Sequence, residues 1–148
     1  MLLFSTAKKK VVNIAVFKFV ISDGKKSYQV EKDQRDAPIM GKKMGDTVDA
    51  GFLGMDGYEL QITGGSDKDG FPMRRDIEGQ LRKRFLITQG VGFHTNVGGL
   101  RRRKMLRGNT IADDIAQINC KVVKKGEKPL EELFGKKTEE KAEEAKSE

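Results

Sequence analysis

Short stretches of alternating apolar and polar residues recur along the chain. From Val16 to Ser22, Phe17, Phe19 and Ile21 are set against Lys18 and Ser22, the period-two pattern of a half-buried strand. Asp23-Gly24 supplies turn chemistry, and Tyr28 and Val30 resume the alternation against Gln29 and Glu31, which predicts a β-hairpin. Thr47 to Leu53 gives a weaker strand. Tyr58 to Thr63 gives a strong one, with Tyr58, Leu60 and Ile62 on one side, ending at Gly64-Gly65. Arg82 to Thr88 follows, placing Phe85 and Ile87 inside and Arg84 outside, and Ile118 to Lys124 is the last. Six short strands joined by Gly-rich turns predict a mainly β fold, a small six-stranded barrel-like or sandwich-like domain.

The remaining segments frame that domain, which is expected over residues 15–125. Residues 1–14 read as an N-terminal extension, apolar first and basic afterwards, the reverse of a secretory signal. Asp36 to Lys43 is expected to make one short helical turn after Pro38, and Ser66 to Gly70 a loop. Some thirty residues between the last two strands lack periodicity, as a long functional loop would. Within them Thr110 to Gln117 predicts a helical turn capped by Asn109 or Thr110. From residue 126 to 148 the composition turns to Lys, Glu and Ala, a charged tail. At its start Lys128 to Phe134 is expected to form a short amphipathic helix, with Pro129 in the first turn and Leu130, Leu133 and Phe134 on one face.

Charge changes the picture of the long loop. Leu100 to Ile111 reads LRRRKMLRGNTI, packing Arg101, Arg102, Arg103, Lys104 and Arg107 into seven positions. No Asp or Glu lies between Glu78 and Asp113, and the same window holds Arg82, Lys83 and Arg84. These eight cations exceed the chain's net charge of +7, so the other residues together amount to −1. A localised cationic cluster gains affinity for a polyanion by releasing condensed counterions from phosphates. Glycines 90, 92, 98, 99 and 108 let the backbone there approach a ligand. Charge alone leaves a solvated basic face or a localisation-type signal open.

Other chemistry is thinly supported. The single cysteine, Cys120, excludes an intramolecular disulfide framework and alternates with Ile118 and Val122 as a buried strand residue would. One Cys and one His, His94, do not make a Cys/His zinc site, and His94 reads as a phosphate or base contact within a Gly-rich loop. Asp67-x-Asp69-Gly70 with Glu78 has calcium-loop spacing, but Phe71 and Pro72 occupy positions needing an oxygen ligand and a glycine. A turn with carboxylates bonding neighbouring amides suits Asp67 and Asp69 better. There is no phosphate-binding loop or dinucleotide fingerprint, and no cofactor or small-molecule substrate is expected. No apolar run approaches bilayer-spanning length. Phe71 and Phe93 lie in polar loops, where burial as an anchor and stacking on a base fit equally well.

The segments ITGGSDKDGFPMR (62–74), LRRRK, RGNTI (107–111) and QIN (117–119) resemble the S-six-e family of small-subunit ribosomal proteins, as do FKFVISD and GKKMGDTVD (41–49). The resemblance covers residues 16–124 and implies a barrel-like, structural component of the small ribosomal subunit, with ribosomal RNA and neighbouring ribosomal proteins as partners and no enzymatic activity. It also implies a cytoplasmic location in that subunit. Eukaryotic members extend into a basic helix ending in phosphorylated serines. Here the tail from Lys125 to Glu148 holds six Lys against eight Glu and a single Ser, Ser147, which points to an archaeal-type member.

On this reading Arg101, Arg102, Arg103, Lys104 and Arg107 neutralise RNA phosphates, Arg82, Lys83 and Arg84 flank them, and Asn109 bonds a base or ribose hydroxyl. Lys68, Arg74 and Arg75, on the earlier loop, and His94 are further expected contacts. The alternatives are a free RNA- or DNA-binding regulator and, third, an enzyme using Asp67, Asp69 and His94.

Overall fold

The structure is a computed structural model that describes residues 16–126 and 128–134. The expected N-terminal extension and most of the charged tail lie outside the described residues. Strands run β1 (Val16–Asp23), β2 (Lys26–Asp33), β3 (Thr47–Asp49), β4 (Glu59–Asp67), β5 (Arg82–Ile87), β6 (Arg102–Arg107) and β7 (Ile115–Lys124). Five of them form a sheet in the order β2-β1-β7-β4-β3, curled into a half-barrel, while β5 and β6 pair as a separate two-stranded ribbon. β1 and β7 are parallel and the other pairs are antiparallel. The chain is thus mainly β and barrel-like, as its alternation implied.

The alternating residues make the core. Phe17, Phe19 and Ile21 of β1, Leu60 and Ile62 of β4, and Ile118 and Cys120 of β7 are all buried in one core cluster. Phe17 and Phe19 meet edge to face with ring centres 6.2 Å apart, a favoured aromatic geometry. Ala37, Ile39 and Ile111 close one side, and residues 130–134 form a helical turn that packs Leu130, Leu133 and Phe134 against the same core. The Tyr58 hydroxyl ties this turn down by donating to the Lys128 carbonyl at 2.6 Å. Among the described residues no helix is long and apolar enough to cross a membrane.

Four local expectations give way to tertiary contacts. After Pro38 the chain does turn, over residues 38–41 with the Lys42 amide on the Ile39 carbonyl at 3.1 Å, but the turn of 3-10 helix falls earlier, at Gln34–Asp36, because Pro38 holds Ala37 extended (φ −106°, ψ 107°). β3 stops at Asp49, and Gly51–Leu53 is a turn of 3-10 helix. β4 continues through Gly64 and Gly65 to Asp67, with register shifts that bend it around the half-barrel. Gly65 serves close approach: a Cβ there would lie 2.5 Å from the Gln117 carbonyl oxygen and 3.0 Å from the Met73 sulfur. Residues 110–117 contain no helix. The amides of Asn109, Thr110 and Ile111 instead donate across to Ile77, Gly79 and Lys42 carbonyls at 2.8, 3.2 and 2.9 Å, and a tight turn at 113–114, closed by the Ile115 amide on the Ala112 carbonyl at 3.1 Å, leads into β7.

The stretch expected to be a thirty-residue loop contains β6, so the described residues hold seven strands. β6 reads RRKMLR, with no apolar alternation, and its register comes from pairing with β5, Arg82 opposite Arg107 through Ile87 opposite Arg102.

Burial pushes the Cys120 thiol up to about 12, because charging it inside the core is unfavourable. The unfolded thiol ionises near pH 8.5, so the folded state binds the extra proton between those values and loses stability as pH rises through them. The stability advantage of the parent over Cys120→Ala is expected to shrink above pH 8.5 by up to about 1.4 kcal/mol per pH unit. Urea unfolding at pH 7, 9 and 10 checks this; a constant difference would mean that Cys120 reaches solvent.

Candidate nucleic-acid interface

A two-stranded ribbon is marginal by itself in water and needs an anchor. Here the anchor is the joint between β4 and β6. Asp67, at the end of β4, and Arg107, at the end of β6, bury their side chains to 2% and 4% exposure and meet at 2.6 Å. Arg82, directly opposite Arg107 in the ribbon, reaches the same Asp67 oxygen at 3.4 Å and also pairs with Asp69. Two arginines opposite each other in a ribbon repel, and the shared carboxylate converts that repulsion into a clamp. Arg82 further lies over the Phe71 ring, 4.9 Å from its centre. Its guanidinium holds the Asp69 carboxyl below the usual carboxylate range.

The backbone of residues 72–74 is sandwiched in the joint. The Met73 amide donates to Gly65 at 2.9 Å, the Arg107 amide to Pro72 at 3.1 Å and the Arg74 amide to Arg107 at 3.0 Å. On the far side, Gly108 passes so close to Gly79 that a Cβ on it would lie 1.9 Å from the Gly79 oxygen. A small apolar cluster of Ile87, Phe93 and Leu106, with Phe85 packed on it, stiffens the ribbon itself.

This geometry sorts the expected contact residues into three groups. Arg107 and Asn109 are internal and do not face a ligand: Arg107 is held by Asp67, and the buried Asn109 donates to the Arg75 carbonyl at 3.3 Å. Lys68, Arg74 and Arg82 are engaged with acids, Lys68 with Asp114 at 3.5 Å, Arg74 with Asp76 at 2.8 Å and Arg82 with Asp67 and Asp69. The Arg74 guanidinium holds the Asp76 carboxyl below its ordinary range. The third group is exposed: Lys83, Arg84, Arg101, Arg102 and Arg103 lie along the ribbon and make no ion pair with any described residue. Lys104, half-buried, extends over the Phe93 ring, 5.6 Å from its centre. Arg75 and His94 are exposed, His94 on the loop that joins the strands.

Alternation in the antiparallel pair places Lys83, Arg102 and Lys104 on one face and Arg84 and Arg103 on the other. The free cations therefore wrap the ribbon instead of lining one side. Phe93 is buried, an anchor for its loop, and Phe71 is half-buried under Arg82. Asp67 and Asp69 bond guanidinium groups and not the neighbouring amides expected of a turn. No cluster of three or more His, Cys, Asp or Glu suited to a metal ion occurs among the described residues.

Comparison with known proteins assigns the chain. The family model for Ribosomal protein S6e matches residues 17–135, which is most of the chain. The chain belongs to the ribosomal protein S6e family. This family consists of structural components rather than enzymes. Among its archaeal members, the protein named small ribosomal subunit protein eS6 of Methanosphaera stadtmanae is 50% identical over 129 residues, 86% of this chain and 99% of that one. That of Methanothermobacter thermautotrophicus is 53% identical over 120 residues, covering 80% of this chain and 95% of the relative. The Methanocaldococcus jannaschii protein of the same name is 51% identical over 120 residues, 80% and 90% of the two chains. The S6e segments 62–74 and 107–111 that stand out in the sequence are the two halves of the β4–β6 joint.

Removing Asp67 leaves the buried Arg107 only the half-exposed Asp114, 3.6 Å away, in place of its 2.6 Å partner, so Asp67→Ala is expected to cost about 3–5 kcal/mol of stability. Arg102→Ala, on the exposed ribbon, is expected to stay within about 0.5 kcal/mol of the parent. Urea unfolding of the two variants makes the comparison. Equal, small effects would show that the ion pair does not hold the joint.

Proposed function

We propose that the chain is a structural constituent of the small subunit of the cytoplasmic ribosome and that the β5–β6 ribbon is its surface for folded ribosomal RNA. The family membership supports the first part. The observation that carries the second is the run of exposed, acid-free cations, Lys83, Arg84, Arg101, Arg102 and Arg103, held on a ribbon whose base is fixed by a buried ion pair. Unpaired cations concentrated in this way repel one another, and an external polyanion relieves that repulsion. Lys104, Arg75 and His94 extend the surface, while Arg82, Lys68 and Arg74 orient it. Residues 15–125 make up the binding domain, with the extension before it and the charged tail after it. Since the cations point to both faces and the tip, the ribbon inserts between RNA segments and reads their shape and phosphate geometry, not base sequence. Neighbouring ribosomal proteins meet the remainder of the domain.

Two experiments test this. In sucrose gradients of native extract after a high-salt wash, the chain is expected to stay with the small subunit. Release into the light fractions would favour a free RNA- or DNA-binding regulator. Replacing Arg101, Arg102 and Arg103 together with Ala is expected to weaken binding to small-subunit ribosomal RNA. The salt dependence, log K against log salt, should flatten by about 0.7 per lost contact on single-stranded RNA and about 0.9 on duplex. An unchanged slope would show that the triplet does not touch phosphate.

A further inference from the structure

Beside the ribbon lies a groove that phosphate binding alone does not use. It runs between β5 and the segment from Arg74 to Leu81 and encloses about 700 Å³. Its apolar lining comes from Phe85 and Ile87, alternate residues of one β5 face, and from Leu81, which is 68% exposed. Its charged lining is unequal. Asp76 is bonded by Arg74 at 2.8 Å and Glu78 faces Lys43 at 3.6 Å, so both carboxylates are matched by cations. Lys83 and Arg101 have no acid partner among the described residues. They stand at opposite ends of the groove, about 17 Å apart along the strand by backbone rise, since Arg101 lies one residue beyond Arg102, the partner of Ile87.

We propose that this groove holds one unstacked nucleotide of the bound RNA, its base against Phe85 and Leu81 and its flanking phosphates on Lys83 and Arg101. The proposal rests on the RNA-binding reading above and adds a specific ligand to it. A volume within roughly 300–1,000 Å³ suits a small-ligand cleft and admits a nucleotide but not a helix. A surface for duplex RNA needs cations and hydrogen-bond donors, whereas an exposed leucine beside a half-buried aromatic ring suits the face of a single base. The free positive charge at both ends favours a nucleotide over an apolar peptide.

The test uses the full chain and two RNA hairpins, identical except that one carries a single bulged nucleotide, with affinities measured by fluorescence anisotropy at one salt concentration. The parent is expected to bind the bulged hairpin roughly tenfold more tightly than the paired one. Leu81→Asp, which alters only an exposed side chain while the Leu81 carbonyl still accepts from the Gly108 amide, is expected to bring that ratio near one. Arg84→Ala combined with Arg103→Ala, outside the groove, is expected to weaken both hairpins and leave the ratio in place. Equal binding of the two hairpins by the parent would overturn the nucleotide site while leaving RNA binding standing. A ratio that survives Leu81→Asp would also overturn it, by putting the preference elsewhere. Failure to bind either hairpin would overturn the RNA reading and the groove with it.

Discussion

The contact on which the rest depends is the buried ion pair between Asp67 and Arg107. A carboxylate and a guanidinium taken out of water lose hydration, and only close geometry with further partners offsets that loss. Here the partners are two side chains, Arg82 across the ribbon, on the same Asp67 oxygen, and Asp114, just before β7, 3.6 Å from the Arg107 guanidinium. The pair joins the half-barrel to a ribbon that has no large core of its own. Two glycines complete the joint, because at residues 65 and 108 any side chain would collide with a neighbouring backbone carbonyl.

Fixing the base of the ribbon determines what its cations can do. Arginines near the joint are consumed by acids of the same chain, while those farther along β5 and β6 face only solvent. One cationic window therefore serves two ends, internal clamping at Arg82 and Arg107 and external display from Lys83 to Arg103. A paired ribbon also loses less conformational entropy on binding than the flexible loop expected from the sequence, which leaves more of the counterion-release free energy for affinity.

The half-barrel was legible in the sequence because one-sided burial writes period two into a strand, as in Phe17, Phe19 and Ile21 or Tyr58, Leu60 and Ile62. The helical turn at 130–134 was legible for the same reason, from Leu130, Leu133 and Phe134. β6 was hidden because its partners are one short strand and solvent, so RRRK carries no alternation, and Gly64-Gly65 looked like a strand end when it marks close packing. At the interface, the cationic triplet was readable from charge alone. The interior fate of Arg107 and Asn109 was not, since it depends on Asp67 and Arg75, which are remote in sequence. The one available signal was the acidic pair Asp67 and Asp69 preceding an acid-free window that is rich in arginine. Signature residues that invite a binding role thus turn out to build the joint, and the less distinctive residues between them carry the display.

Whether the ribbon lies against RNA in the subunit is read directly by lysine acylation at Lys83 and Lys104. Both are expected to react in the free chain, to be protected in intact small subunits, and to become reactive again after ribonuclease digestion. Lys83 and Lys104 acylated as readily in the intact subunit as in the free chain would contradict that contact, and so would protection that persists after the RNA is removed.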